Sequence, residues 1–151
     1  AGFESVTAGD LLTPPFSQAE LDATAIRRLR TLLEAEGLAS LVAPRLPLDL
    51  TPMASEEAYL KALKVLLESS AGIVILGLIP FTRRLHTTFQ ETSPFAQAIA
   101  RLGLEHGKAI GVVVDAGPDY ESYRQAMSLA GLPVFARMED AIAGLQVLIS
   151  S

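Results

Sequence analysis

The chain has 151 residues, no cysteine and a formal net charge of −5, which excludes disulfides, thiol nucleophiles and cysteine-held metals and disfavours a general attraction to nucleic-acid phosphates. Half of its residues are hydrophobic and only 19% are charged, so one domain with a full core is expected without metal or disulfide, and disorder is not. The mean hydropathy of +0.36 suits parallel strands buried on both faces, or a docking surface covered by another domain.

Along the chain, Val6, Leu11 and Leu12 anchor a short helical start that Thr13-Pro14-Pro15 stops. From Asp22, the helical spacing of Ile26, Leu29, Leu32 and Leu33, with Arg27, Arg28, Arg30 and Glu34 opposite, predicts an amphipathic helix ending near Gly37. Prolines at 44, 47 and 52 make Leu38 to Pro52 a shaped loop. Ser55-Glu56-Glu57 opens the next helix with a capping hydroxyl and carboxylates that suit the helix dipole. Its buried side is expected to hold Tyr59, Leu60, Leu63, Val65, Leu66 and Leu67.

The continuous apolar segment Ile73 to Ile79 predicts a strand covered on both faces at the centre of the sheet. A loop from Pro80 to Thr92 then leads to Ser93-Pro94, expected as N-cap and first helical residue of a helix through His106. Lys108 to Val114 is the second strand, and Asp115 to Asp119 a turn. Tyr120 to Ala130 is a helix that Gly131 stops, Pro133 to Phe135 an edge strand, and Glu139 to Ile149 the closing helix. This alternation predicts an α/β domain with a mainly parallel sheet and right-handed crossovers. The apolar run Ile73 to Phe81 is too short for a membrane span, and Glu4 and Asp10 stand where a secretory signal needs basic residues. A cytoplasmic protein contacting neither membrane nor nucleic acid is the expectation.

His86, in Arg83-Arg84-Leu85-His86, follows the most apolar strand, where open α/β sheets place ligands. Two readings stand open: a proton or phosphoryl acceptor with Arg83 and Arg84 holding an anion, or a solvated polar loop. Asp49 either orients a ligand or caps its own turn, and Asp115 suits ligand contact. Asp119 is expected to cap the following helix, and His106 to complement a helix C-terminus. Scattered carboxylates and two distant histidines give no metal-ligand spacing, and neither a GxGxxG nor a P-loop is present. No cofactor is therefore expected on this domain alone.

Three segments resemble the NDP-forming acyl-CoA synthetases, the family of succinyl-CoA synthetase and the ADP-forming acetyl-CoA synthetases. Ala1-Gly2-Phe3-Glu4-Ser5 is similar to the end of the family's Asn-Ala-Gly-rich loop. Leu46-Pro47-Leu48-Asp49-Leu50-Thr51 is similar to its Asn-Pro-x-Asp-Leu segment. Gly131-Leu132-Pro133-Val134-Phe135 with Glu139-Asp140-Ala141 is similar to its Gly-x-Pro-Val-aromatic ending and acidic-Ala helix. The order and spacing match over nearly the whole chain.

The resemblance implies the second flavodoxin-like domain of a multidomain ligase spanning residues 1–151, doubly wound in three layers, with the family's first strand missing from this chain. It implies CoA and ATP with Mg for the parent enzyme, and CoA-binding, phosphohistidine and ATP-grasp domains as partners, with homo-oligomers possible. Gly2, Phe3 and Ser5 would meet phosphate at a helix start, and Asp49, Thr51, Arg83, Arg84 and His86 would supply loop contacts. No residue of this domain is assigned catalysis. Two departures, Leu46 for the family's Asn and Phe3-Glu4 for small residues, favour the alternative of a non-catalytic module sensing acyl-CoA or nucleotide.

Overall fold

Short polar side chains decide where the first helices begin. Asp22 accepts a hydrogen bond from the Ala25 backbone N–H at 2.7 Å and opens α1, Ala23–Ala35. Gly37, at φ 70°, takes the left-handed turn that ends it. Ser55 accepts from the Ala58 N–H at 3.1 Å and opens α2, Glu56–Leu67, with Glu56 and Glu57 in its first turn. The computed structural model describes residues 17, 19–51, 53–78, 88–115 and 117–150, with side chains through 147. The short helical start expected around Val6, Leu11 and Leu12 lies outside the described residues. After α2 come β1 (Ile73–Gly77), α3 (Phe89–His106), β2 (Ala109–Val113), a 3-10 turn (Pro118–Tyr120), α4 (Glu121–Leu129), β3 (Val134–Phe135) and α5 (Met138–Ser150).

The strands form an open, all-parallel sheet in the order β1-β2-β3. Ile73 lies opposite Ala109, Gly77 opposite Val113, and Val112 opposite Val134. Strand alternation sends Val74, Leu76, Leu78, Ile110, Val112 and Val114 into one cluster with Leu63 and Leu67 of α2, Phe95 and Ile99 of α3, and Tyr123 and Met127 of α4. On the opposite face α5 approaches β2 so closely that a Cβ on Gly111 would stand 2.8 Å from Leu145 Cδ1. The result is a flavodoxin-like α/β fold with helices on both faces of the sheet.

Outside this sandwich, α1 packs on α2. Ala25, Leu29 and Leu33 meet Ala58, Ala62 and Val65, and the loop between the helices adds Leu38, Val42, Leu50 and Ala54 to that second core. Burying a leucine such as Leu29 or Leu33 is worth about 1.5–3 kcal/mol.

Four expectations are corrected. Among the described residues β1 lies at the sheet edge and β2 at its centre. Val74 and Leu76 are buried, but Ile73 and Ile75 are half-buried and Gly77 is exposed. Apolarity reports how much of a strand is covered, and does not report its place in the strand order. The strand also ends at Gly77, beyond which Leu78 still donates to the Val113 carbonyl at 2.9 Å.

Helix α3 begins at Phe89 and not at Pro94. Thr88 accepts from the Glu91 N–H at 3.4 Å and donates to Glu91 Oε2 at 2.5 Å, so an upstream cap captures the start. Asp119 lies inside the 3-10 turn, and it is Tyr120 that occupies the cap position of α4. Arg124 holds this connection, donating to the Gly117 carbonyl at 3.1 Å and the Val114 carbonyl at 3.4 Å. Among the described residues no helix is long and apolar enough to cross a membrane.

At the amino end of the sheet, Arg28 of α1 pairs with Glu68, the residue that closes α2. His106 Nε2 of α3 stands 3.8 Å from the same carboxylate. Arg28 holds the Glu68 carboxyl below its ordinary value of 4.5. A folded-state pKa lower than the unfolded one gives stability that is present above that ordinary value and is lost as pH falls through the folded one. Glu68→Gln is therefore expected to flatten the acid limb of a plot of denaturation midpoint against pH. An unchanged limb would mean that the pair contributes no stability.

Candidate functional site

Parallel strands with intervening helices collect helix starts at one end of the sheet. The C-terminus of α2 feeds the start of β1, so Ser55 and its first turn lie toward the carboxyl ends of the strands. Helices α3 and α4 follow β1 and β2, and bring Thr88 and Gly117 to the same end.

The loop before α2 delivers Asp49 there. Its Leu46–Pro47 peptide bond is cis. Leu50 is buried and Leu48 packs against the α1–α2 core, whereas Asp49 between them is exposed. Asp49 Oδ1 accepts from the Thr51 N–H at 2.9 Å, and Thr51 Oγ1 accepts from the Met53 N–H at 3.3 Å. Asp49 thus caps its own turn, the structural alternative open to it, and Thr51 is its direct partner. Thr51 adopts φ 62°. A β-branched residue in the left-handed region costs about 1–3 kcal/mol, and such positions cluster at functional sites.

Asp49 also faces Tyr59 of α2, whose phenol is pushed above its ordinary value first by burial and then by the Asp49 charge. Tyr123 of α4 completes the group. It is fully buried, and its hydroxyl has no hydrogen-bond partner among the described residues. Burial, then Glu56 and Tyr59, push its ionisation far up, so it stays a neutral phenol. In the sequence Tyr123 is one position within the helix expected from Tyr120 to Ala130.

Charge determines what this corner accepts. Glu56 and Glu57 occupy the first turn of α2, Glu91 that of α3 and Glu121 that of α4. Each helix start at this end of the described fold therefore carries its own carboxylate, which opposes an incoming phosphate at the dipole. Gly2, Phe3 and Ser5, the segment expected to meet phosphate, lie outside the described residues. Arg83, Arg84 and His86 also lie outside them. Of the residues singled out in the sequence, Asp49 and Thr51 are thus the pair brought together, and Asp115 stands exposed just beyond β2. Among the described residues, no cluster of His, Asp or Glu is placed to hold a metal ion.

A cleft lined by Leu21, Ile26, Pro44, Arg45 and Leu46 runs beside the same loop, so the Leu46 side chain forms part of its wall. A groove between α1 and α2 is lined by Arg28, Leu32, Lys61 and Val65. Neither is lined by Asp49, Tyr59 or Tyr123.

No family model matches the sequence, and no curated protein matches it. The fold is similar to that in the crystal structure of PH0766 from Pyrococcus horikoshii OT3, with a TM-score of 0.75 and 24% identity over 95% of this chain and 32% of that one. The chain therefore spans about a third of the length of that protein. At this identity the likeness concerns the fold.

Proposed function

We propose that this chain is one flavodoxin-like domain of an NDP-forming acyl-CoA synthetase, bordering a phosphoryl- and CoA-handling site shared with CoA-binding, phosphohistidine and ATP-grasp domains. The observation that carries the reading is where two of the three family-like segments fall on the fold. Leu46 to Thr51 forms the shaped loop that leads into α2, and Gly131 to Phe135 ends α4 and forms β3. Glu139 and Asp140 then occupy the first turn of α5. The chain's share of a longer structural neighbour suits a module that works beside others.

In this reading the parent converts acid, CoA and ATP with Mg to acyl-CoA, ADP and phosphate, and the isolated domain has no turnover. The domain supplies walls and positioning. Asp49 shapes the loop at the shared site through Thr51, and displacement of a positioning group by about 1 Å costs on the order of a hundredfold in rate. Asp49→Ala in the full parent protein is expected to lower kcat for acyl-CoA formation at least about tenfold, with the circular dichroism spectrum unchanged. Full activity in that variant would remove Asp49 from the site. Absence of acyl-CoA formation by the unaltered parent would overturn the ligase reading.

That second outcome would favour a module that binds acyl-CoA or nucleotide without turnover. Leu46 and Phe3-Glu4 support this alternative, because they replace a hydrogen-bonding group and small residues of the family pattern. Titration calorimetry of the domain with CoA, acyl-CoA and ATP distinguishes the two, since binding without turnover in the parent belongs to the sensing module.

A further inference from the structure

Helix α3 carries two sets of start signals. The upstream set is Thr88 with Glu91, whose reciprocal hydrogen bonds cap the helix at Phe89. The downstream set is Ser93-Pro94, which here lies in the second turn of the same helix. A proline at that depth has no N–H for the Gln90 carbonyl and crowds it. It also disfavours the helical conformation of Ser93, because the Pro94 ring clashes with the backbone before it. Both penalties vanish if Ser93 becomes the N-cap: it would adopt the extended conformation a residue before proline prefers, and Pro94 would take the first helical position.

We infer that α3 exchanges between two starts, one at Phe89 and one at Pro94, with the turn from Phe89 to Thr92 as a detachable extension. In the long form, Thr92 donates to the Thr88 carbonyl at 2.9 Å, and the Ser93 hydroxyl accepts a 3.4 Å bond from Gln97 Nε2. In the short form, Ser93 Oγ turns to accept from the Ala96 N–H, the usual N-cap partner. Burial of the Thr92 side chain and the Thr88–Glu91 cap favour the long form. Gln90 and Glu91 are exposed and Phe89 is 38% exposed, so the cover that opposes release comes from the Phe89 ring and the Thr92 side chain.

Exchange withdraws the positive end of the helix by five residues, about 7.5 Å, from the end of the sheet where the candidate site lies. The position of the α3 dipole relative to that site then becomes adjustable.

Hydrogen exchange followed by NMR on the full chain tests this. The amides of Thr92 and Ser93 lose their acceptors in the short form, whereas those from Gln97 to Leu104 keep theirs. Thr92 and Ser93 are expected to exchange at least tenfold faster than the Ile99 to Leu104 amides, with a rate insensitive to low denaturant. Pro94→Ala is expected to slow both amides at least tenfold by stabilising the long form. Thr88→Ala is expected to speed them while leaving Ile99 to Leu104 unchanged. Equal protection on both sides of Pro94 in the unaltered protein would overturn the inference, as would Thr92 and Ser93 amides that do not respond to Pro94→Ala.

Discussion

Leu145→Ala is expected to lower the unfolding free energy by about 2–5 kcal/mol. Leu145 is buried to 2% exposure on α5, in the layer that covers β2 on the face away from α3 and α4. Its Cδ1 fills the space that Gly111 leaves by having no side chain. Truncation removes buried methyl groups and opens a void that the flat strand surface cannot collapse to fill.

The complementary change, Gly111→Ala, brings a methyl within 2.8 Å of that leucine, closer than van der Waals contact permits. It is expected to cost about 1–3 kcal/mol through displacement of the leucine. In the double variant the methyl introduced on β2 enters the space that the truncated leucine vacates, so the two costs should fall short of their sum by at least about 0.5 kcal/mol. Denaturant midpoints of the four proteins measure this. Strict additivity would show that α5 does not seat on β2 through this pair.

Tyr123→Ala is expected to cost about 3–5 kcal/mol, because it deletes a fully buried aromatic ring where α4 meets the main core. Tyr123→Phe should behave oppositely. The hydroxyl has no partner among the described residues, and a buried unpaired polar atom carries a desolvation penalty of about 1–3 kcal/mol. Removing it while keeping the ring should leave stability unchanged or raise it. The pair of substitutions thus separates ring packing from hydroxyl chemistry at the corner that Glu56 and Tyr59 share. A loss above about 1.5 kcal/mol for Tyr123→Phe would show that the hydroxyl is hydrogen-bonded, since a net hydrogen bond contributes roughly that much.

Periodicity carried much of the architecture. The leucine spacing after Asp22, the cap at Ser55, the glycine stops at 37 and 131 and the helix end at His106 correspond to α1, α2 and the ends of α4 and α3. These signals are local: a cap or a left-handed glycine acts on backbone within one turn. The choice of start for α3 was less legible, because two competent caps lie five residues apart and their competition depends on the burial of Thr92. Asp119 failed as a cap for a related reason: a 3-10 turn intervened, and Arg124 satisfied the turn carbonyls from the next helix.

At the candidate site, Asp49 and Thr51 were legible because a Pro-rich loop with an isolated carboxylate has few ways to satisfy its backbone. Tyr123 was not, since an orphan hydroxyl exists only once other elements have enclosed it. Sequence by itself determined the alternating α/β character, the helix stops and the shaped loop, all set by side-chain spacing and short-range hydrogen bonding. Only the tertiary structure decided that the most apolar strand, β1, stands at the edge of the described sheet while β2 takes its centre. Strand order follows from which neighbours exclude water from each face and edge, and those neighbours come from distant parts of the chain.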